Sequence, residues 1–130
     1  MTRAHDIITR HYEASAGGDL AGMLAPIEAD TTWTEAAGFP RAGTYIGPDA
    51  VRVNVFEALA RDFDGYRFDL DELVDAGDVQ IGIGTYSGTF RQTGRPFTAR
   101  VAHVWRLASD RVVSFEQIVD SAQVRTAMTP

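Results

Sequence analysis

The sequence predicts an α+β domain in which a strongly curved antiparallel or mixed sheet wraps around N-terminal helices and encloses an apolar pocket. The N-terminal part of the chain carries apolar residues at helical spacing, whereas the second half carries long extended segments joined by tight turns. Helices followed by such a meander pack on one face of a bent sheet. The chain has 130 residues, of which 45% are hydrophobic and 23% charged, and no linker or repeat divides it. We therefore expect one globular domain over 1–130.

Three helices are predicted before the extended half of the chain. The first covers residues 3–16 and stops at the glycine pair 17–18. Asp19 is a suitable N-cap for a short second helix that ends at Pro26. The third begins at Pro48, because proline suits the first helical turn. The apolar face of this third helix consists of Val51, Val55, Phe56, Leu59 and Phe63.

The strands are predicted where apolar and polar residues alternate. They cover 31–36, an alternating stretch at 66–70 that follows Asp64-Gly65, and then 79–90, 96–107 and 112–119. The segment 38–47, with Pro40 and three glycines, predicts a loop. Gly82, Gly84 and Gly88 lie inside a strand and form no phosphate-binding loop. We expect them to relieve crowding opposite a helix, or to leave space beside Tyr86 and Phe90.

The charged residues exclude several classes of function. The net charge is −6 and no basic face is visible, which excludes nucleic acid and anionic membranes as expected partners. All twelve positive charges are Arg, so Schiff-base chemistry on a lysine, including attachment of pyridoxal phosphate, is impossible. There is no Cys, no apolar run long enough to span a membrane and no signal-peptide pattern, which predicts a cytoplasmic protein. The Arg-only, Ala- and Gly-rich usage indicates a bacterial source. Since His5 and His11 do not converge, we expect no metal and no cofactor.

His103 is the first candidate for chemistry. Its strand places it in the middle of an otherwise apolar face, formed by Phe97, Ala99, Val101, Trp105 and Leu107. Two interpretations stay open. A buried neutral His can simply be satisfied by one backbone carbonyl and one side chain. A buried imidazole that titrates near neutral pH would instead suit a proton relay.

Glu35 is the second candidate. It shares a strand face with Thr31 and Trp33, and Trp33 is the expected inward anchor. A carboxylate in an apolar site has a raised pKa, because desolvation disfavours its charged form, and it is then a better base near neutral pH. The alternative is that Glu35 lies at the end of the strand and faces solvent.

Other polar residues border the same region. In the last strand Gln117 is in phase with Val113, Phe115 and Val119, and it can either donate to a ligand oxygen or only satisfy a neighbouring group. Asp120 has the opposite phase and would turn inward only if the strand contained a bulge. On the first helix His11 and Tyr12 border the apolar stripe and can present hydrogen-bond donors to a cavity, although for Tyr12 ordinary core packing is the favoured interpretation.

Five segments together carry a resemblance to a known family. They are HYEASAGGDL at 11–20, TWTE at 32–35, YIGPDAV at 45–51, AHVWRL at 102–107 and RVVSF at 111–115. In order and spacing they resemble the SnoaL-like branch of the nuclear-transport-factor-two superfamily. The resemblance implies a cone-shaped α+β half-barrel, commonly a homodimer through its sheet. It also implies that the chain is related to ketosteroid isomerases, polyketide cyclases and limonene-epoxide-type hydrolases, which belong to the same superfamily.

The resemblance further implies roles for individual residues. The isomerases take their base from a carboxylate at the end of the first strand, which falls on Glu35. Their oxyanion donors fall on His11 and His103, with Tyr12 one residue from the first of these positions. A histidine at 103 departs from the isomerase pattern, in which that donor is a protonated Asp. A cavity with a carboxylate, from Glu35 or Asp120, and an imidazole suits the aldol-type proton transfers of the cyclases.

The sequence therefore predicts a cofactor-independent enzyme that moves a proton next to a carbonyl, or activates water, on a small hydrophobic ligand. Glu35 is the expected base, and His103 is expected to bind the developing enolate oxygen or to return the proton. The residues expected to bind or surround the substrate are His11, Tyr12, Trp33, Phe56, Tyr86, Phe97, Val101, Trp105, Phe115, Gln117 and Asp120.

Two alternatives belong to other classes of function. The first is a non-catalytic binding protein that holds a small apolar metabolite in the same pocket. The second is an interaction domain that uses the outer face of the sheet. In that case Arg100 and Arg106 would pair across a dimer with the acidic residues Asp69, Asp71 and Glu72.

Overall fold

A single mixed sheet of six strands dominates the computed structural model, which describes residues 2–130. The strands are β1 Ile27–Glu35, β2 Gly43–Ile46, β3 Phe63–Ala76, β4 Val79–Phe90, β5 Arg95–Ala108 and β6 Arg111–Val119. The helices are α1 Arg3–Ala16, α2 Leu20–Leu24, α3 Pro48–Val51, α4 Glu57–Asp62 and α5 Ser121–Met128. The sheet order is β2-β1-β6-β5-β4-β3, and all neighbours are antiparallel except β1 and β6. The predicted fold class, a curved sheet with N-terminal helices, is confirmed.

The first two helices follow the sequence prediction closely. The Thr2 side chain caps α1 by accepting a hydrogen bond from the backbone N–H of His5, at 3.1 Å. The Asp19 side chain caps α2 in the same way, with the backbone N–H of Gly22 at 3.0 Å. Ile8, His11 and Tyr12 are buried on the face of α1 that packs on the sheet. No helix within residues 2–130 is both long and apolar enough to cross a bilayer.

The third predicted helix begins at Pro48 as expected but widens in its middle. A π-helical turn, Arg52–Phe56, joins α3 to α4. The guanidinium of Arg41 donates through Nε to the carbonyl oxygen of Asn54 at 2.6 Å, which satisfies a backbone group within this turn. The prediction that Phe63 lies on the helix face is wrong, because the helix ends at Asp62 and Phe63 is the buried first residue of β3.

Several boundaries predicted from the sequence are also wrong. β1 starts at Ile27, and the Asp64-Gly65 pair lies inside β3. The segment 38–47 contains β2, a short edge strand that pairs Tyr45 with Trp33. Because β2 is exposed along most of its length, it lacks the apolar alternation that marks a strand. Helix α5 was not predicted because only two of its residues are buried.

A register shift between β5 and β6 changes the faces of the last strand. Arg106 pairs with Ser114 and Leu107 with Val112, so one residue bulges. As a result Val112 is buried and Val113 is 52% exposed, against the prediction that Val113 points inward. Phe115 and Gln117 keep the predicted inward face.

The charges on the outer face of the sheet are paired within the chain. Arg100 contacts Asp71, and Arg106 contacts Glu116 at 3.3 Å. The pairing of these arginines with acidic residues across a dimer stays a prediction, and within the single chain they already have acidic partners. Beside these pairs lies an apolar group, the outer patch, which the strand registers bring together. The outer patch consists of Val74, Ile81, Ile83, Ala102, Val104 and Ile118.

Candidate active site

A cavity of about 350 Å³ lies between the helices and the inner face of the sheet. This volume is typical of small-molecule sites. Apolar groups form most of its wall, including Val55, Phe56, Leu59 and Phe68. The buried polar and aromatic side chains in the wall are His11, Tyr12, Trp33, Glu35, Tyr86 and His103.

Glu35 is held at this cavity by the end of β1. It is only 3% exposed, so the prediction that it points inward is confirmed. Trp33, two residues earlier, stacks on Phe115 with ring centroids 3.6 Å apart. The backbone N–H of Ala36 donates to Oε1 of Gln117 at 3.0 Å, which fixes the chain directly after Glu35. Within residues 2–130, Oε2 of Glu35 and Nε1 of Trp33 are buried without a hydrogen-bond partner.

Burial changes the acidity of Glu35. Desolvation raises the pKa of its carboxyl group from 4.5 to about 8, and the nearby indole N–H of Trp33 opposes this shift in part. With that pKa, about a tenth of the Glu35 side chains are ionised at pH 7. The ionised form is a much stronger base than a solvated carboxylate, and the neutral form is a proton donor.

His103 is bonded on both sides by tyrosine hydroxyls. Its Nδ1 lies 2.8 Å from the hydroxyl of Tyr12, and its Nε2 lies 2.6 Å from the hydroxyl of Tyr86. The indole N–H of Trp105 donates to Tyr12 at 2.9 Å, and the amide of Gln117 donates to Tyr86 at 3.0 Å. The face assignment of His103 is confirmed, but its partners are two side chains rather than a carbonyl and a side chain.

The interpretation of His103 as a group that titrates near neutral pH is wrong. Burial lowers its pKa to about 3, and the neighbouring His11 adds to the shift. The ring is therefore neutral over the physiological range. Since both of its nitrogens are occupied, His103 does not offer a free nitrogen to an enolate oxygen. Tyr12 and Tyr86, which line the cavity, hold the hydroxyls that can.

His11 presents a fixed tautomer. Its Nδ1 lies 2.8 Å from the carbonyl oxygen of Met23, and a carbonyl only accepts hydrogen bonds, so Nδ1 carries the hydrogen. Burial lowers the pKa of His11 to about 4, and its Nε2 is then an acceptor. The resemblance to the isomerases places an oxyanion donor at position 11, one residue before Tyr12. Both His11 and Tyr12 line the cavity.

Tyr66 was not predicted as a residue of the site. It lines the cavity from β3, with its ring 5.4 Å from that of Tyr86. Burial raises the pKa of both phenols well above the usual value, and the charge of Glu35 raises them further, so both stay protonated. The alternation of Tyr66 and Phe68 was visible in the sequence, but the face they share depends on the pairing of β3 with β4.

Several predicted substrate-binding residues lie behind the cavity wall rather than in it. Phe97, Val101, Trp105, Phe115 and Gln117 are buried in the adjoining core. Of these, Trp105 and Gln117 act on the site indirectly, through their hydrogen bonds to the two tyrosines.

Asp120 does not reach the cavity. Its side chain is exposed just before α5, and its backbone N–H donates to the carbonyl of Arg100 at 3.0 Å. The bulge of β6 lies at the other end of the strand and does not turn Asp120 inward. Within residues 2–130, no three His, Asp or Glu side chains converge as a metal site would require.

Gly82 makes room for Tyr12. A Cβ atom at this position would lie 2.2 Å from the Tyr12 hydroxyl, so the glycine lets the phenol approach the sheet closely. Gly82 pairs with His103 on β5, so the phenol reaches the sheet beside that histidine. This agrees with the expected role of the glycines in β4. We expect Gly82→Ala to displace Tyr12 and to lower the free energy of unfolding by about 1–3 kcal/mol, as overpacking does. Urea denaturation measures this.

Gly17→Ala is the matched control for that variant. An added Cβ at Gly17 meets only ordinary contacts, at 3.5 Å or more, and φ there is −90°. The control should keep the wild-type stability. Equal stability of Gly82→Ala and wild type would contradict the close packing of Tyr12.

A curved, unclosed sheet packed against helices, with a cavity and buried acid-base groups between them, defines a class of small α+β half-barrel proteins. Residues 8–115 match the SnoaL-like domain, and the chain belongs to this family. The family includes polyketide cyclases and isomerases. No curated protein sequence matches the chain.

Solved structures agree with this assignment. An NTF2-like protein from Burkholderia thailandensis E264 is 50% identical over 100% of both chains, with a TM-score of 0.97. An NTF2-like protein of unknown function from Burkholderia pseudomallei K96243 is 29% identical over 100% of both chains, with a TM-score of 0.89. TerC, co-crystallised with polyporic acid, shares the fold at 20% identity, with 98% of each chain covered and a TM-score of 0.85.

Proposed function

We propose that this protein catalyses general acid-base proton transfer next to a carbonyl group of a small hydrophobic substrate, with Glu35 as the base. The observation that carries the proposal is a carboxyl group buried at an apolar cavity, with one oxygen, Oε2, that accepts no hydrogen bond from residues 2–130. A carboxylate freed from water in this way binds a proton far more strongly than one in solution. Membership in a family with cyclases and isomerases supports the same chemistry.

The proposed reaction starts when ionised Glu35 removes a proton from the carbon beside the carbonyl. The electrons of that C–H bond move to the carbonyl oxygen, which becomes an enolate. The hydroxyl of Tyr12 or Tyr86 donates a hydrogen bond to this oxygen, and apolar walls keep water from competing for it. Protonated Glu35 then returns the proton, to the same carbon or to another. Isomerisation results when the second carbon is conjugated with the first, and cyclisation results when the enolate carbon attacks another carbonyl.

Deuterium incorporation tests this proposal. Small aliphatic and aryl ketones are incubated with the protein in D₂O, and exchange of the hydrogens beside the carbonyl is followed by NMR. The proposal expects exchange above the buffer rate for at least one ketone that also raises the melting temperature. Ketones that stabilise the protein without any exchange would instead support the binding protein as its function.

We also propose that the protein is a homodimer formed through the outer face of its sheet, and that this dimer binds the small hydrophobic ligand. The outer patch supports this, since Ile118 is 57% exposed at the β6 edge of an apolar surface that a second copy can cover. Light scattering during size exclusion should give the mass of a dimer. We expect Ile118→Glu to give a folded monomer, because it would bury an unpaired charge at the contact. A wild-type monomer at micromolar concentration would contradict the dimer.

A further inference from the structure

The hydrogens between His103 and its two tyrosines can be counted. A neutral imidazole has one N–H and one lone pair. Because both ring nitrogens of His103 contact a phenol oxygen, one tyrosine donates its hydroxyl hydrogen to the ring and the other accepts the ring N–H. The accepting tyrosine does not use its own hydroxyl hydrogen on the ring. Two tautomers therefore exist, and each frees the hydroxyl of a different tyrosine.

The surrounding bonds direct the free hydrogen to the cavity. Tyr12 also accepts the indole N–H of Trp105, and an indole nitrogen can only donate. Tyr86 also accepts from the amide of Gln117, whose oxygen is held by a backbone N–H. A tyrosine that accepts from both the ring and its second donor has both lone pairs filled. Its hydrogen then points away from those donors. Both tyrosines line the cavity, and at Tyr86 the hydroxyl of Tyr66, which lines the cavity as well, is a further hydrogen-bond partner.

We propose that Tyr12, His103 and Tyr86 form a proton wire with two tautomeric states, which joins two parts of the cavity wall. This inference rests on the proposed function and extends it to a second route for the proton. Glu35 removes and returns a proton at a carbon atom of the substrate, and the wire transfers protons between oxygen atoms of the substrate. A neutral His103 suits this role, because a wire passes protons without holding a charge.

The transfer along the wire balances. At the start, Tyr12 donates to Nδ1, Nε2–H donates to Tyr86, and the Tyr86 hydroxyl hydrogen faces the ligand. A ligand carbonyl oxygen takes that hydrogen, Tyr86 takes the Nε2 hydrogen, and Nδ1 takes the Tyr12 hydrogen. Tyr12 then takes a hydrogen from a ligand hydroxyl. Four bonds to hydrogen break and four form, the protein gains no charge, and His103 ends as the other tautomer. The opposite transfer resets the wire.

The substrate class follows from the two ends of the wire. The ligand must give a proton near Tyr12 and accept one near Tyr86. A conjugated compound with one hydroxyl and one carbonyl group does so, because the double bonds between the two oxygens can shift as the hydrogens move. A simple ketone uses Glu35 but not the wire.

Nitrogen NMR on imidazole-labelled protein tests the wire without any substrate. In the wild type at neutral pH, the two His103 nitrogens should both show shifts between those of a protonated and an unprotonated nitrogen. Tyr12→Phe should move the ring to the Nε2–H tautomer, because only Tyr86 then remains to accept from it. Tyr86→Phe should move it to the Nδ1–H tautomer for the same reason. Tyr45→Phe, which loses only a bond to the carbonyl of Arg41, is the matched control and should leave the shifts unchanged.

Two results would overturn the wire. One is the same single tautomer in the wild type and in both variants, and the other is a ring protonated on both nitrogens at neutral pH. If the variants do not fold, the wild-type shifts alone decide, since a fixed tautomer gives one fully protonated and one fully unprotonated nitrogen. A failed wire with intact ketone exchange leaves the proposed function standing. If the His103 shifts agree with the wire but no ketone exchanges deuterium, the proposed acid-base function is wrong and the wire stands.

Discussion

Glu35→Gln is expected to lower the rate of ketone deuterium exchange by about 10²–10⁴-fold, the usual contribution of general acid-base catalysis. The amide has nearly the same shape as the carboxyl group, but it does not accept a proton at any working pH. At neutral pH most Glu35 side chains are neutral because their pKa is about 8, so the neutral amide resembles the resting state of the wild type. The fold and the affinity for ketones should therefore be kept while the exchange rate falls.

Glu13→Gln is the matched control for this variant. The residue is exposed on α1, and the substitution makes the same chemical change outside the cavity. Its exchange rate should equal that of the wild type. If Glu35→Gln retains full exchange while it binds the same ketones, Glu35 is not the base.

The second large effect concerns the pH dependence of stability. Burial raises the pKa of Glu35 from 4.5 to about 8, so the folded chain holds a proton that the unfolded chain has released. Its contribution to stability is complete below about pH 4.5 and is lost as the pH rises to 8. His11 and His103 have pKa values lowered from 6.5 to about 4 and about 3, so their contribution is complete above pH 6.5 and lost as the pH falls.

Together these three groups predict maximal stability near pH 6.5. Between pH 6.5 and 8 the loss from Glu35 exceeds the small gain that remains as the unfolded-state histidines lose their protons, so the free energy of unfolding should fall by about 1 kcal/mol. Urea denaturation at pH 5.5, 6.5 and 8 measures the profile. Glu35→Gln should abolish the fall above pH 6.5 and keep the loss at lower pH. An identical profile for the variant and the wild type would contradict a buried, protonated Glu35.

The inward placement of Glu35 and His103 could be predicted because β1 and β5 alternate regularly, and one anchor such as Trp33 fixes the face of its strand. The same reasoning failed for Val113, because a bulge shifts the phase and leaves no mark in the sequence. It also missed β2, an exposed edge strand that lacks an apolar face.

The partners of His103 could not be predicted for a different reason. Tyr12 is 91 residues away in sequence and Tyr86 is 17 residues away, so their contacts depend on helix placement and on strand register. Nothing in the local pattern around His103 indicates either tyrosine. Burial of His103 among these contacts lowers its pKa, so the imidazole is neutral between two hydroxyls instead of titrating near neutral pH as one interpretation of the sequence expected.

The ionisation of Glu35 is the measurement that tests the account most directly. The carboxyl carbon of Glu35 can be followed by NMR in labelled protein across a pH titration, with Glu35→Gln to assign its signal. We predict a midpoint near pH 8, because the buried carboxyl group keeps its proton. A midpoint near 4.5, the value of a solvated glutamate, would contradict a buried base in an apolar cavity.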